Sequence, residues 1–135
     1  MNLEIPEASM SENLLIFHAA LAGALGACTR YGVDRLLHVM IPTSFPSGIM
    51  VVNLSGAFMA GWLAAAAVSG RIEEPLFQVL ALGFAGSYTT FSGWMVQSLE
   101  LFLSGYERQA LVNLLLTLVP GWLLTLAGWW LVLLW

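Results

Sequence analysis

The stretch Gly83-Phe84-Ala85-Gly86-Ser87-Tyr88-Thr89-Thr90-Phe91-Ser92-Gly93-Trp94 decides the fold. It lies in the middle of an apolar run from roughly Leu76 to Leu103, where a lipid-facing helix would carry Leu and Ile. Glycines, hydroxyls and aromatics stand there instead, so a continuous helix is not expected. Non-helical backbone survives at membrane depth only where protein or a water-filled cavity satisfies its amides and carbonyls. A broken helix also offers free amides, free carbonyls and terminal dipoles that bind ions, which makes the stretch a candidate ion site. Simple helix packing through Gly and Thr is the alternative. Phe91 and Trp94, three apart, share a face and either pack as core aromatics or present positive ring edges to an anion.

Outward from this stretch, three further apolar runs extend over roughly Leu14 to Leu37, Phe45 to Val68 and Leu111 to Trp135. Each reaches the ~20 residues that cross a hydrocarbon core as helix. With 59% hydrophobic and 9% charged residues in 135, a water-soluble domain could not cover its surface with polar groups. The expected fold is an all-α membrane protein of four transmembrane helices, the third broken near its centre, forming one domain over 14–135. Residues 1–13 carry Glu4, Glu7 and Glu12 and no basic residue, so they read as a short polar tail rather than a cleavable signal. Pro42 and Pro46, then Ser69 to Pro75, then Ser104 to Arg108 are compact turn-forming links. Trp122, Trp129, Trp130 and Trp135 crowd the last span, and those near its end suit an interfacial belt.

Orientation follows the Lys/Arg bias of loops, and here Arg30 and Arg35 fall toward the first link, Arg71 in the second and Arg108 in the third. The bias is nearly nil, so insertion in both orientations is expected, with two opposed copies forming an antiparallel dual-topology dimer. Many transporters obtain such a pseudo-twofold axis from inverted repeats within one chain. No internal repeat is evident here, so a second chain would supply it.

A charge at the bilayer centre costs at least about 2.5–3.5 kcal/mol on insertion scales, so polar residues at depth are the informative ones. Ala19, Ala22, Gly23 and Gly26 form a thin face that leads to Arg30, which either serves an anion, clamps carbonyls or snorkels to the interface. Asn53 lies on one face with Ala57, Ala60 and Ala64, offering donors to an anion or an interhelical hydrogen bond. Asn113, Thr117, Gly121 and Thr125 recur at intervals of four, a polar stripe that either lines a conduit or packs with its hydroxyls bonded to preceding carbonyls. Pro120 frees the carbonyl of Leu116 within that stripe. Cys28 is alone and reads as a small packing residue.

Three motifs, one per span, carry a resemblance: Gly23-Ala24-Leu25-Gly26-Ala27-Cys28-Thr29-Arg30-Tyr31, Val52-Asn53-Leu54-Ser55-Gly56-Ala57-Phe58, and Gly83 to Ser92. They resemble the fluoride channel family known as Fluc or CrcB. The resemblance implies an antiparallel dual-topology dimer in the cell inner (plasma) membrane, with two fluoride pathways. It implies a structural sodium ion at the dimer centre, held by the backbone carbonyls of Gly86 and Thr89. The pathway residues so implied are Asn53, Phe91, Ser92, Trp94, Asn113, Thr117 and Thr125, with Arg30 in support. Departures occur at Ile49, where the family's second motif has a hydroxyl, at Trp94, which takes a phenylalanine position, at Asn113, which takes a tyrosine position, and at Thr117, which takes a serine position. These substitutions make a heterodimer with a paralogue, in which each chain is degenerate at part of the pore, an alternative to the homodimer.

Other classes fit less well. A net charge of −4 with no basic patch argues against a nucleic-acid partner. A proton-coupled exporter of the small multidrug type wants a carboxylate deep in the membrane, typically in the first span, and Glu100 stands toward the end of the third. An enzyme is not expected, because His18, His38 and Cys28 cannot assemble a nucleophile-base pair or a metal cluster from their positions.

Overall fold

The computed structural model describes residues 10–41, 43 and 45–135. Residues 1–9 of the expected polar tail, and Pro42 in the first link, lie outside the described residues. Helix α1 covers Met10–Met40, so residues 10–13 of that tail are helical. No Pro or Gly separates them from the apolar run, and Glu12 in the first turn complements the helix dipole. At ~1.5 Å per residue α1 outreaches a ~30 Å hydrocarbon core. Most of its charged residues lie toward the ends, Glu12 at one and Asp34 and Arg35 at the other, with Arg30 further in.

Helix α2 covers Ser47–Val68 and closes at Ser69-Gly70. Gly70 turns to φ +69, its N–H donates to Ala67 O, and the N–H of Arg71 donates to Ala66 O, the paired bonds that satisfy the last carbonyls of a helix. The same dipeptide ends the third apolar run. There Gly105 takes φ +81, with Gly105 N–H to Phe102 O and Tyr106 N–H to Leu101 O. Between these two stops the chain forms α3 (Glu74–Phe77), a π-helical segment Gln78–Ala85, α4 (Gly86–Tyr88) and α5 (Phe91–Leu103). Helix α6, Glu107–Leu133, continues through Pro120.

The described residues contain no strand. Three of the helices, Glu12–Met40, Ser47–Val68 and Glu107–Leu133, are long and apolar enough to cross a membrane. The main packing pair is α2 with α6, while α1 lies on the π-helical segment and α4, and α5 lies on α6. Small residues set these distances. A Cβ on Gly128 would land on the carbonyl of Phe58, one on Gly61 on that of Thr125, and one on Gly26 on that of Phe84. Backbones in such contact gain dispersion along their length, the main attraction between helices where lipid is as apolar as the side chains.

The interior is correspondingly thin. Val52 and Asn113 are the largest side chains buried almost completely, whereas Leu25, Leu82, Leu118, Leu123 and Trp130 are more than half exposed. An apolar surface of this extent has no stable form in water. With the three long apolar helices, it makes the chain a multi-pass membrane protein. Trp122 and Trp135 point outward, but Trp129 is partly buried against Ala65, Ala66 and Val132, a packing role that the interfacial reading of the cluster did not anticipate. Cys28 is exposed on α1, not packed within the chain as expected, because the small face of α1 is built by Ala19, Ala22, Gly23 and Gly26.

Replacing Gly128 by Leu drives a side chain into the Phe58 carbonyl and is expected to lower the melting temperature of the purified protein in detergent by several degrees. Gly32→Ala, at a position with nothing within 4 Å of the new methyl, is expected to leave it unchanged. Equal melting temperatures for both variants, read by thermal size-exclusion, would contradict the close α2–α6 contact.

Candidate functional site

Helix formation stops at Tyr88 because the next two residues are extended, Thr89 at φ −79, ψ 158 and Thr90 at φ −150, ψ 116. Both are β-branched, and the extended region suits them. Their peptide groups need partners. Asn53 of α2 supplies two at once: Thr90 N–H donates to Asn53 Oδ1 at 2.9 Å, and Asn53 Nδ2 donates to Thr90 O at 3.0 Å. The side-chain amide thus pairs with the main chain as a neighbouring strand would. The hydroxyl of Thr90 then caps α5, accepting from Gly93 N–H at 3.1 Å. Thr89 Oγ1 donates back to Ala85 O at 3.0 Å.

Gly86 O and Thr89 O are among the carbonyls that lose their helical donors in consequence. In a continuous helix Gly86 O would accept from Thr90 N–H and Thr89 O from Gly93 N–H. Those N–H groups are committed to Asn53 and to the Thr90 hydroxyl. Carbonyl oxygens released in this way suit a hard monovalent cation, so the residues present fit the sodium site that the resemblance implies for Gly86 and Thr89.

Beside the break lies an open groove of about 470 Å³ whose lining includes Asn53, Thr89, Thr90, Phe91, Trp94 and Thr117. Sequence reasoning placed four of these in one pathway, and the fold brings those four together. Phe91 is 71% exposed. Its ring meets Trp94 edge to face, centroids 5.6 Å apart and planes at 81°. Ser92 is exposed at the first turn of α5, its Oγ 3.2 Å from Thr90 Oγ1.

The α6 stripe divides. Thr117 is 7% exposed, and its hydroxyl has no hydrogen-bond partner among the described residues although it lines the groove. Thr125 instead bonds backbone, its Oγ1 lying 3.1 Å from Ala57 O and 3.0 Å from Gly121 O. Asn113 is 1% exposed and its Nδ2 donates to Ser98 Oγ at 2.9 Å. Ser98 was not singled out from the sequence, where one serine in a polar-poor helix carries no signal. The signal that could have found it is its place one turn beyond Trp94. Ser98 Oγ donates to Trp94 O at 2.8 Å, and Trp94 Nε1 donates to Asn113 O at 3.2 Å.

Arg30 is half-buried and lies ten residues inside the end of α1, deeper than a terminal position. Ile49, where the resemblance has a hydroxyl, is buried in the first turn of α2 beside Gly48, which itself lies against the Asp34 carboxylate.

The site of this multi-pass membrane protein is thus an interrupted, amide-clamped backbone beside a mostly apolar groove that carries a few polar groups, those of Asn53, Thr89, Thr90 and Thr117. The model of the family described as "CrcB-like protein, Camphor Resistance (CrcB)" matches residues 17–129. A Vibrio vulnificus (strain YJ016) protein named fluoride-specific ion channel FluC is 36% identical over 118 residues, covering 84% of this chain and 94% of its own length. A Photobacterium profundum protein of the same name is 37% identical over 108 residues, 79% of this chain and 85% of that one. In Symbiobacterium thermophilum a protein named fluoride-specific ion channel FluC 2 is 36% identical over 103 residues, 76% of this chain and 84% of that one. The chain belongs to the CrcB family.

Asn53→Ala removes both partners of the Thr90 peptide groups, each worth about 1–3 kcal/mol when left buried and unpaired. The expected result is loss of hydrogen-exchange protection in the segment 86–93, read by mass spectrometry. Protection equal to that of the unaltered chain would mean that the clamp does not hold the break.

Proposed function

We propose that this chain is the subunit of a fluoride-selective channel that lets fluoride leave the cell passively. The reading rests on family membership and on the names of the relatives. The observation that carries it within the molecule is the meeting of Asn53, the helix interruption, Phe91, Trp94 and the unpartnered Thr117 hydroxyl along one groove. In the proposed architecture, residues 74–103 are the fourth crossing, broken at Thr89-Thr90. Two copies assemble antiparallel in dual topology, which accounts for the nearly balanced arginines and for the exposure of Phe91 in the single chain.

Fluoride is a small, strongly hydrated anion, so its path must replace water stepwise with donors that release it again. Thr117 offers its hydroxyl. Asn53 Nδ2 has a second N–H beyond the one given to Thr90, and Ser92 offers its hydroxyl. The edge of the Phe91 ring adds weak positive charge. Arg30 is assigned a supporting role. A sodium ion on the Gly86 and Thr89 carbonyls supplies, when bound, positive charge that lowers the dielectric cost of an anion near the midplane. No energy source is required: HF enters by diffusion and dissociates, and the negative-inside potential expels the anion.

A paralogue as the second subunit is the alternative assembly, favoured by Asn113, whose amide hydrogen is committed to Ser98 where the family has a phenolic hydroxyl. The name FluC 2 of one relative is in keeping with paired members. Family membership stands against the small multidrug-type exporter.

Proteoliposomes holding the purified chain are expected to release fluoride but retain chloride once potassium is made permeant, and Phe91→Ile is expected to reduce the flux at least tenfold. Absence of fluoride release both from the chain alone and from the chain reconstituted with a second CrcB member of its own genome would overturn the reading.

A further inference from the structure

The groove aromatic Trp94 carries a donor that phenylalanine lacks, and the structure shows where that donor goes. Indole Nε1–H is the strongest hydrogen-bond donor on the ring edge. Left free beside a conducting path it would bind a dehydrated anion by a charge-assisted hydrogen bond, roughly twice as strong as a neutral one. Conduction needs sites weak enough to leave. Here Nε1–H is directed away, to Asn113 O across the α5–α6 contact at 3.2 Å. The bond belongs to a closed circuit. Asn113 Nδ2 donates to Ser98 Oγ at 2.9 Å, and Ser98 Oγ donates to Trp94 O at 2.8 Å. Ser98 and Asn113 are 6% and 1% exposed, so no solvent competes for these groups.

We infer that Ser98 and Asn113 are positioning residues that hold the Trp94 indole N–H on backbone, so that Trp94 presents only weak C–H edges to the anion. The two departures at 94 and 113 are one device. A tryptophan is tolerated beside the path because its polar atom is tied to the helix whose side chain at 113 ties back to the helix of the tryptophan. Ser98 is the joint, since its hydroxyl accepts from one side and donates to the other.

This inference rests on the proposed fluoride pathway, and the test separates the two. In fluoride flux from liposomes, Ser98→Ala, which removes the tie that holds Asn113 and its carbonyl against the indole, is expected to lower both the half-saturating fluoride concentration and the maximal flux by about tenfold, as the loosened N–H reaches and traps the ion. In a Trp94→Phe background the same Ser98→Ala change is expected to alter neither, because no N–H remains to be freed. An equal effect of Ser98→Ala in both backgrounds, or none with Trp94 present, would overturn the inference while leaving the channel reading intact. Loss of flux in the unaltered chain would instead count against the channel reading. A second measurement needs no folded Ser98 variant. In 15N-tryptophan-labelled protein, the Trp94 Nε1–H resonance, assigned by its loss in Trp94→Phe, is expected to stay fixed during fluoride titration and to exchange slowly with deuterium. A fluoride-dependent shift or rapid exchange would overturn the inference.

Discussion

A peptide group lifted out of a helix needs partners outside the helical ladder, and in the proposed fourth crossing, where no water is at hand, the fold of this chain is organised around meeting that need at Thr90. The neutral carboxamide of Asn53 can give and accept along the same edge, so a single residue satisfies both the N–H and the carbonyl. Aspartate lacks the donor, and a hydroxyl cannot span both atoms. With Thr90 held, its own hydroxyl is aimed at Gly93 and starts α5, which carries Phe91 and Trp94 to the groove. The clamp also decides which carbonyls are released, because an N–H taken by a side chain is one withdrawn from the helical ladder.

Everything else must keep Asn53 within reach of Thr90, and the small residues do this. Gly56, one turn along α2 from Asn53, gives the Thr89 methyl its space, so α2 can approach the break. On the other side Gly26 and Gly23 let α1 lie against Phe84 and Ser87. Ser55 adds a lateral tie, its Oγ 2.9 Å from the Tyr88 hydroxyl at the last helical residue before the break. The π-helical segment just upstream adds a further irregularity, and such segments are frequent at functional sites.

Much of this was legible in the sequence because its signals are local. Ser69-Gly70 and Ser104-Gly105 are stop signals whose mechanism is a single positive φ. The glycine and hydroxyl cluster at 83–94 stands out against leucine because small and hydroxyl residues in a membrane helix mark a packed or polar face rather than a lipid-facing one. The helix runs back from the apolar residues to Met10, since acidic residues that mark a polar tail equally suit the first turn of a helix. Cys28 is exposed in the single chain, since composition does not say which face of α1 another helix of the chain covers. The role of Ser98 depends on Trp94 and Asn113 meeting it across two helices. No periodicity in α5 encodes that, and a buried hydroxyl in a membrane helix looks the same whether it bonds its own backbone or a neighbour.

The α6 stripe carries the same lesson into the chemistry. Its residues at 113, 117, 121 and 125 are equivalent by spacing, yet the fold gives them different work. Thr125 ties α6 to the Ala57 carbonyl or to its own helix, Asn113 serves the α5 contact, and Thr117 alone keeps a hydroxyl without a partner beside the groove. A donor already satisfied by protein contributes little to an ion in transit, since using it would break an existing bond. Under the proposed channel reading, the number of polar residues along a helix therefore overstates the number of ion contacts. What distinguishes them is whether their hydrogens are committed, and that is a property of the packed neighbours rather than of the helix that bears them.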